Sequence, residues 1–203
     1  MKTISCMNID ENLLYSWGAE DKTYKPKEMI FEEGDHTLYY FQIAKGRVKL
    51  NNYNEDGKEF IHNILGKNQS FGDPLLFLDH PYPMNAVCIE SSDIIKLPKS
   101  NFMEMLRENP ELSLEMNACF SQQVYYKLIM MQSLASQNPV QRLKGILNYL
   151  KSFHDEGCGS FQVSFTRQEL ANLVGLRVET VIRTLKKMEK EGSIRLENRK
   201  IFY

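Results

Sequence analysis

The 203-residue chain reads as an α+β fold in three successive parts: an N-terminal all-β barrel or sandwich, one long helix, and a C-terminal helical domain that ends in a two-stranded hairpin. Three observations predict this. Turn signals recur roughly every ten residues between Thr23 and Leu97. No glycine or proline interrupts the chain between Pro110 and Pro139. From Thr166 onward, helix-start, helix-stop and turn residues follow one another at short intervals.

In the β part, Glu33-Gly34-Asp35, Lys45-Gly46-Arg47, Glu55-Asp56-Gly57, Leu65-Gly66-Lys67 and Phe71-Gly72-Asp73 bracket short runs of β-formers. Asp56-Gly57 stands between Val48–Tyr53 and Phe60–Leu65 and predicts a hairpin, because the tight turn needs a positive φ.

Beyond Pro98, Phe102–Arg107 reads as a short helix and Asn109-Pro110 opens a longer one, proline being suited to the first helical turn. Its length is about 27 residues, or about 40 Å. Leu112, Met116, Cys119, Gln123, Tyr126, Met130 and Ser133 follow alternating steps of four and three, the spacing of a coiled coil. Val124, Leu128, Met131 and Ala135 form a second stripe on another face. One stripe is expected against the barrel and the other against a second copy. Met116, Cys119, Gln123, Tyr126 and Met130 are assigned to the homodimer contact.

Asn138-Pro139 ends this helix and starts the next, as N-cap and first helical residue. The expected parts are therefore 1–108, 109–137 and 138–203. Val140, Leu143, Ile146, Leu147 and Leu150 give the next helix an apolar face, Gly157–Ser160 a loop and Phe161–Phe165 a short strand.

Thr166-Arg167-Gln168-Glu169 is a capping box opening a helix that carries Leu170, Ala171 and Val174 and stops at Gly175. A second helix runs from about Val178 to Glu191, with Val181, Leu185 and Met188 facing the core. Two helices joined by a glycine turn make a helix-turn-helix. Ser193–Leu196, a turn at Glu197-Asn198 and Arg199–Tyr203 read as a wing. The outward face of the second helix holds Val178, Glu179, Ile182 and Arg183. Arg183 can donate twice to guanine and Glu179 can accept from cytosine. Spaced i, i+4, the two side chains can also hold each other's rotamers. Arg167, Gln168, Arg177, Thr180, Lys186 and Lys187 complete the candidate surface for double-stranded DNA, most of them in reach of phosphates.

Charge distribution agrees. The net charge is −1, but twelve basic and seven acidic residues follow Pro139, leaving the C-terminal third at +5 and the remainder at −6. No apolar run is long enough to span a bilayer, and Met1–Asp10 lacks the features of a secretion signal, so the expected compartment is the cytoplasm, without a membrane partner. Cys6, Cys88, Cys119 and Cys158 lie too far apart for paired metal thiolates. His36, His62, His80 and His154 are equally scattered, so no metal site is expected. There is no phosphate loop, nucleophile elbow or paired metal ligand set, so the chain is not expected to be an enzyme.

Phe165–Ala171, Val174-Gly175-Leu176 and Val178–Arg183 resemble the winged helix of the Crp/Fnr regulators. Upstream, Ile30–Asp35, Gly46–Leu50 and Phe71-Gly72-Asp73 resemble that family's cyclic-nucleotide-binding β-roll, a jelly roll. The resemblance implies a β-roll sensor, a long dimerisation helix and a DNA-binding winged helix. It further implies that Glu179 and Arg183 read a TGA core in each half-site, and that RNA polymerase is a further partner. Val178 replaces an arginine of the cyclic-AMP-responsive members, and Val178-Glu179-Thr180 is closer to the fumarate–nitrate type, which suggests a TTGA-like half-site.

The departures concern the effector. The family's ribose-holding Gly-Glu pair is Gly72-Asp73 here, and its phosphate-binding Arg-Ser pair falls at Met84-Asn85, or at Pro83-Met84 without a gap. No arginine lies between Asp73 and Arg107, so a phosphate would meet no guanidinium fork. Lys127 and Leu128 stand where two hydroxyl residues meet adenine. Gly72, Asp73, Met84, Asn85, Lys127 and Leu128 remain the candidate ligand positions, with Leu76 and Tyr125 as further apolar lining, but cyclic AMP is not expected. The N-terminal cysteine cluster of the iron–sulfur members is absent and haem binding is not supported. No cofactor is expected. An unidentified small-molecule effector, a redox cysteine and no effector at all stay open. The alternative to a DNA-binding regulator is a ligand-binding module that acts through protein partners.

Overall fold

The computed structural model describes residues 7–78, 80–151, 161–163, 165–198 and 200–203. Cys6, His154, Cys158, Arg199 and the expected loop Gly157–Ser160 lie outside them. The chain divides into two compact units, the first covering 6–120 and the second the chain from 121 onward.

In the first unit, α1 (Glu11–Ser16) is capped by the Asp10 carboxylate, which accepts from the backbone N–H of Asn12 and Leu13. Eight strands follow: β1 (Glu20–Tyr24), β2 (Met29–Phe31), β3 (Tyr39–Lys45), β4 (Val48–Tyr53), β5 (Glu59–Leu65), β6 (Ser70–Phe71), β7 (Asn85–Cys88) and β8 (Ser92–Pro98). A 3-10 turn, Asp73–Phe77, lies between β6 and β7. The strands form two antiparallel four-stranded sheets, ordered β1-β8-β3-β6 and β2-β7-β4-β5. The expected β4–β5 hairpin forms, with Tyr53 opposite Glu59 and Gly57 at φ +72°. Gly46 has no alternative: at φ +95° a Cβ would come within 2.7 Å of the Ser92 backbone. Between the sheets, Phe31, Phe41, Phe71 and Tyr82 form a continuous aromatic core with Ile43, Val48 and Ile94.

Helices α2 (Lys99–Glu108) and α3 (Pro110–Ala135) come next, the first part of α3 belonging to the first unit. No helix among the described residues is long and apolar enough to cross a membrane.

The assignment of faces on α3 needs correction. Met116 and Cys119, expected to face a second copy, are 2% and 1% exposed and buried within their own unit. Farther along, Tyr126 meets Tyr149 edge to face, and Ser133 abuts Gly145 so closely that a Cβ there would lie 2.2 Å from the Ser133 Cβ. Gln123 and Met130 are half-buried. At Met116 and Cys119 the stripe with coiled-coil spacing is thus used by the chain itself: apolar spacing reports burial, not the owner of the covering surface. The second stripe is the open one. Leu114, Val124, Tyr125, Leu128 and Met131 are 55–70% exposed.

The second unit adds α4 (Pro139–Lys151), β9 (Gln162–Val163), α5 (Arg167–Val174), α6 (Val178–Lys190), β10 (Arg195–Glu197) and β11 (Lys200–Phe202). Leu143, Ile146, Leu170, Val181, Leu185 and Met188 are fully buried in its core. β9 joins the expected wing, giving a three-stranded antiparallel sheet ordered β10-β11-β9.

Candidate nucleic-acid interface

The placement of α6 follows from local sequence. Thr166 Oγ1 accepts from the Glu169 N–H at 3.1 Å, and the Glu169 carboxylate accepts from the Thr166 N–H at 2.7 Å, closing the capping box. Gly175 ends α5 in the left-handed region, φ +66°, and Leu176 N–H returns to the Ala171 carbonyl at 3.0 Å. Arg142 braces the start of α4, donating to the Ser136 carbonyl at 2.7 Å, and reaches the Val174 carbonyl at 3.5 Å. One face of α6 is then held by burial of Val181, Leu185 and Met188. Thr184 adds a back-bond to the Thr180 carbonyl at 2.7 Å.

The opposite face is open. Glu179, Ile182, Arg183, Lys186, Lys187 and Lys190 border a shallow cleft of about 600 Å³. All six are exposed. Among the described residues no ion pair joins Glu179 to Arg183, so the expected mutual restraint is not formed and both side chains project into solvent. Lys187 lies 3.8 Å from Glu191, a loose surface pair. Val178 and Thr180 are half-buried beside this face. Arg177 is exposed as the N-cap of α6, without a side-chain cap bond. Arg167 is half-buried at the start of α5, and exposed Gln168 donates to Asn172 at 3.0 Å. Lys190 was not among the expected residues. Its position four after Lys186 and seven after Arg183 was the available signal. On the wing, the Arg195 guanidinium covers the Phe202 ring at 5.1 Å and pairs with Glu197 at 2.9 Å, and the turn residue Asn198 takes φ +47°.

The expected ligand positions have a different character. Gly72, at φ +73°, faces the Tyr82 ring, whose nearest carbon is 3.1 Å from where a Cβ would stand. Asp73 and Leu76 are buried, and Met84 packs against the aromatic core. Asn85 is not available to a ligand: its Oδ1 accepts from the Glu33 N–H at 2.9 Å and its Nδ2 donates to the Asn51 carbonyl at 3.2 Å. Lys127, Leu128 and Tyr125 lie on the exposed face of α3 in the second unit. Tyr82, absent from the expected set, is 2% exposed and stacked on Phe31. The two described cysteines, Cys88 and Cys119, are buried. Burial, with Asp73 and Glu115 nearby, pushes the Cys119 thiol up to about 11, and burial raises Cys88 as well. Both shifts run opposite to that of a reactive thiolate. Among the described residues no cluster could hold a metal ion.

A β-roll and a helix-turn-helix with an exposed basic face, joined in one chain, define a DNA-binding regulator. Residues 21–109 match the family model of the cyclic nucleotide-binding domain, and residues 141–202 that of the Crp-like helix-turn-helix domain. The chain belongs to the Crp/Fnr family of transcription regulators, which are not enzymes. It is 28% identical to the cAMP-activated global transcriptional regulator CRP of Pasteurella multocida, over 84% of this chain and 83% of the relative. It is 25% identical to the fumarate and nitrate reduction regulatory protein of Salmonella typhi, over 89% and 73%. In fold it is similar to FixK2 from Bradyrhizobium japonicum, with a TM-score of 0.74 at 19% identity over 90% of this chain and 91% of that one.

Proposed function

We propose that the chain acts as a homodimer that reads a near-palindromic DNA site with TGA-containing half-sites. Two copies of α6 enter successive major grooves about 34 Å apart. In each, Arg183 donates twice to a guanine and Glu179 accepts from a cytosine. Lys186, Lys187, Lys190, Arg167, Gln168, Arg177 and Thr180 meet backbone phosphates and hold the register. The observation that carries this reading is the open face of α6, where Glu179 and Arg183, without an ion pair among the described residues, stand ahead of Lys186, Lys187 and Lys190 on a helix whose other face is locked in the core.

The second copy covers the exposed apolar stripe of α3. Leu114, Tyr125, Leu128 and Met131 offer a large apolar surface, and exposed Ala118, Ser121 and Ala135 let two helix backbones approach closely. Membership of a transcription-regulator family supports a cytoplasmic protein with RNA polymerase as further partner. For the effector, the roll favours neither cyclic AMP nor another cyclic nucleotide. Tyr82 covers Gly72, Asn85 is committed to backbone groups, and no arginine lies between Asp73 and Arg107.

Selection of random duplex DNA with the reduced protein and no added ligand tests the reading. Enrichment of a two-fold-symmetric site with TGA cores is the expected result. Salt-sensitive binding with no enriched sequence would count against base readout by the unliganded chain.

A further inference from the structure

Between the two charged side chains assigned to base readout, α6 presents an isoleucine. Ile182 is 42% exposed, next to Arg183 and one helical turn from Glu179, and it borders the same cleft. Solvent-facing helix positions are ordinarily filled by Lys, Glu, Gln, Arg or Ala, which form helix well and keep apolar surface out of water. A β-branched residue here lowers helix propensity and exposes methyl groups. The core gives no reason for it, since Val181, Thr184, Leu185 and Met188 form the buried face.

Its chemistry limits what it can do in a groove. Isoleucine has no hydrogen-bond donor or acceptor, so base edges that present only polar groups offer it nothing. On unmodified DNA the one apolar feature of the major-groove floor is the 5-methyl group of thymine. In a helix the isoleucine χ1 is held in a single rotamer about 90% of the time, so its methyl groups are already ordered before contact. The contact therefore costs little side-chain entropy. Arg183 beside it and Lys186 one turn on border the same cleft, and their attraction to phosphates would hold this face of the helix, Ile182 included, against the duplex.

We propose that Ile182 is a specificity-determining residue that reads the 5-methyl group of one thymine in each half-site. The inference rests on α6 being the DNA-reading helix. It adds that a T·A pair is selected at the position under Ile182 by a methyl group, independently of the hydrogen bonds made by Arg183 and Glu179.

Deoxyuridine differs from thymidine by that methyl alone. The test replaces each thymine of the selected duplex in turn by deoxyuridine and measures affinity for the full-length protein and its Ile182→Ser and Ile182→Val variants. Loss of one buried methyl should weaken wild-type binding roughly fourfold at one position per half-site, and about fifteenfold when both half-sites are changed. Ile182→Ser should bind the thymine and deoxyuridine duplexes equally, and Ile182→Val should keep part of the difference. A thermal melt of each variant checks that the exposed substitution leaves the fold intact. Wild-type indifference to deoxyuridine at every position overturns the proposal, as does a methyl penalty that persists in Ile182→Ser. In either case an intact TGA preference, lost in Arg183→Ala, would leave the reading helix itself standing. If no duplex is selected at all, the reading helix falls first and this inference with it.

Discussion

The ring of Tyr82 lies flat against Phe31, centroids 3.7 Å apart and planes within 9°, with the phenol oxygen buried and without a hydrogen-bond partner among the described residues. Burial, with Asp73 and Asp35 nearby, raises the phenol above its ordinary range, so it stays protonated. The roll thus fills the space over Gly72 with its own side chain.

Tyr82→Phe keeps the stack and removes the unpartnered oxygen. Its unfolding free energy in urea should equal the wild type's or exceed it by up to about 1 kcal/mol. Tyr82→Ala opens a ring-sized void and should cost about 3–5 kcal/mol. Cyclic AMP should leave the thermal midpoint of the wild type unchanged. A concentration-dependent rise would show that the ring yields its place to nucleotide.

Exposed and buried sides of α3 should respond differently. Leu128→Glu, on the open stripe, should turn a dimer into a single chain in sedimentation while the thermal melt of each unit survives. Met116→Ala, on the inward stripe, should cost about 2–5 kcal/mol of stability and leave the association state alone. The reverse pattern would return the dimer contact to the stripe that contains Met116.

Arg183→Ala should lose about 1–3 kcal/mol of discrimination per half-site against a changed guanine position. Paired substitution of Lys186 and Lys187 by alanine should weaken all sequences alike and flatten the salt dependence of binding. Titrations at several salt concentrations separate the two effects.

Cys119 makes stability fall in alkali. Its folded thiol ionises near 11, whereas the unfolded one ionises near 9.0. Below pH 9 both states keep the proton and nothing is lost. Between pH 9 and 11 the unfolded state releases its proton first, so stability declines by up to about 1.4 kcal/mol per pH unit from this group. Cys119→Ala should show a shallower decline than the wild type when unfolding is followed from pH 8 to 11.

Features set by the local chain were legible in the sequence. The capping box at Thr166 and Glu169, the left-handed Gly175 and the buried Val181, Leu185 and Met188 depend on residues a few positions apart, and each formed where expected. The same locality exposes Glu179, Ile182, Arg183, Lys186 and Lys190 on one face of α6, since helical periodicity alone puts them there. What covers a face is a different matter. Met116 and Cys119 had the spacing of a helix partner, but the helix's own β-roll covers them, because both surfaces are apolar and a pattern along one strip of chain cannot identify the other strip. Asn85 and Tyr82 make the same point inside the roll. Only the pairing of strands far apart in the chain puts the Asn85 amide against the backbone of Glu33 and Asn51, and only that closure lays Tyr82 over Gly72. The sequence by itself determined the family, the order of elements and the exposed basic face of α6. The tertiary structure decided which apolar stripe stays open and what fills the space over Gly72 in the roll, because those depend on long-range packing with no local signature.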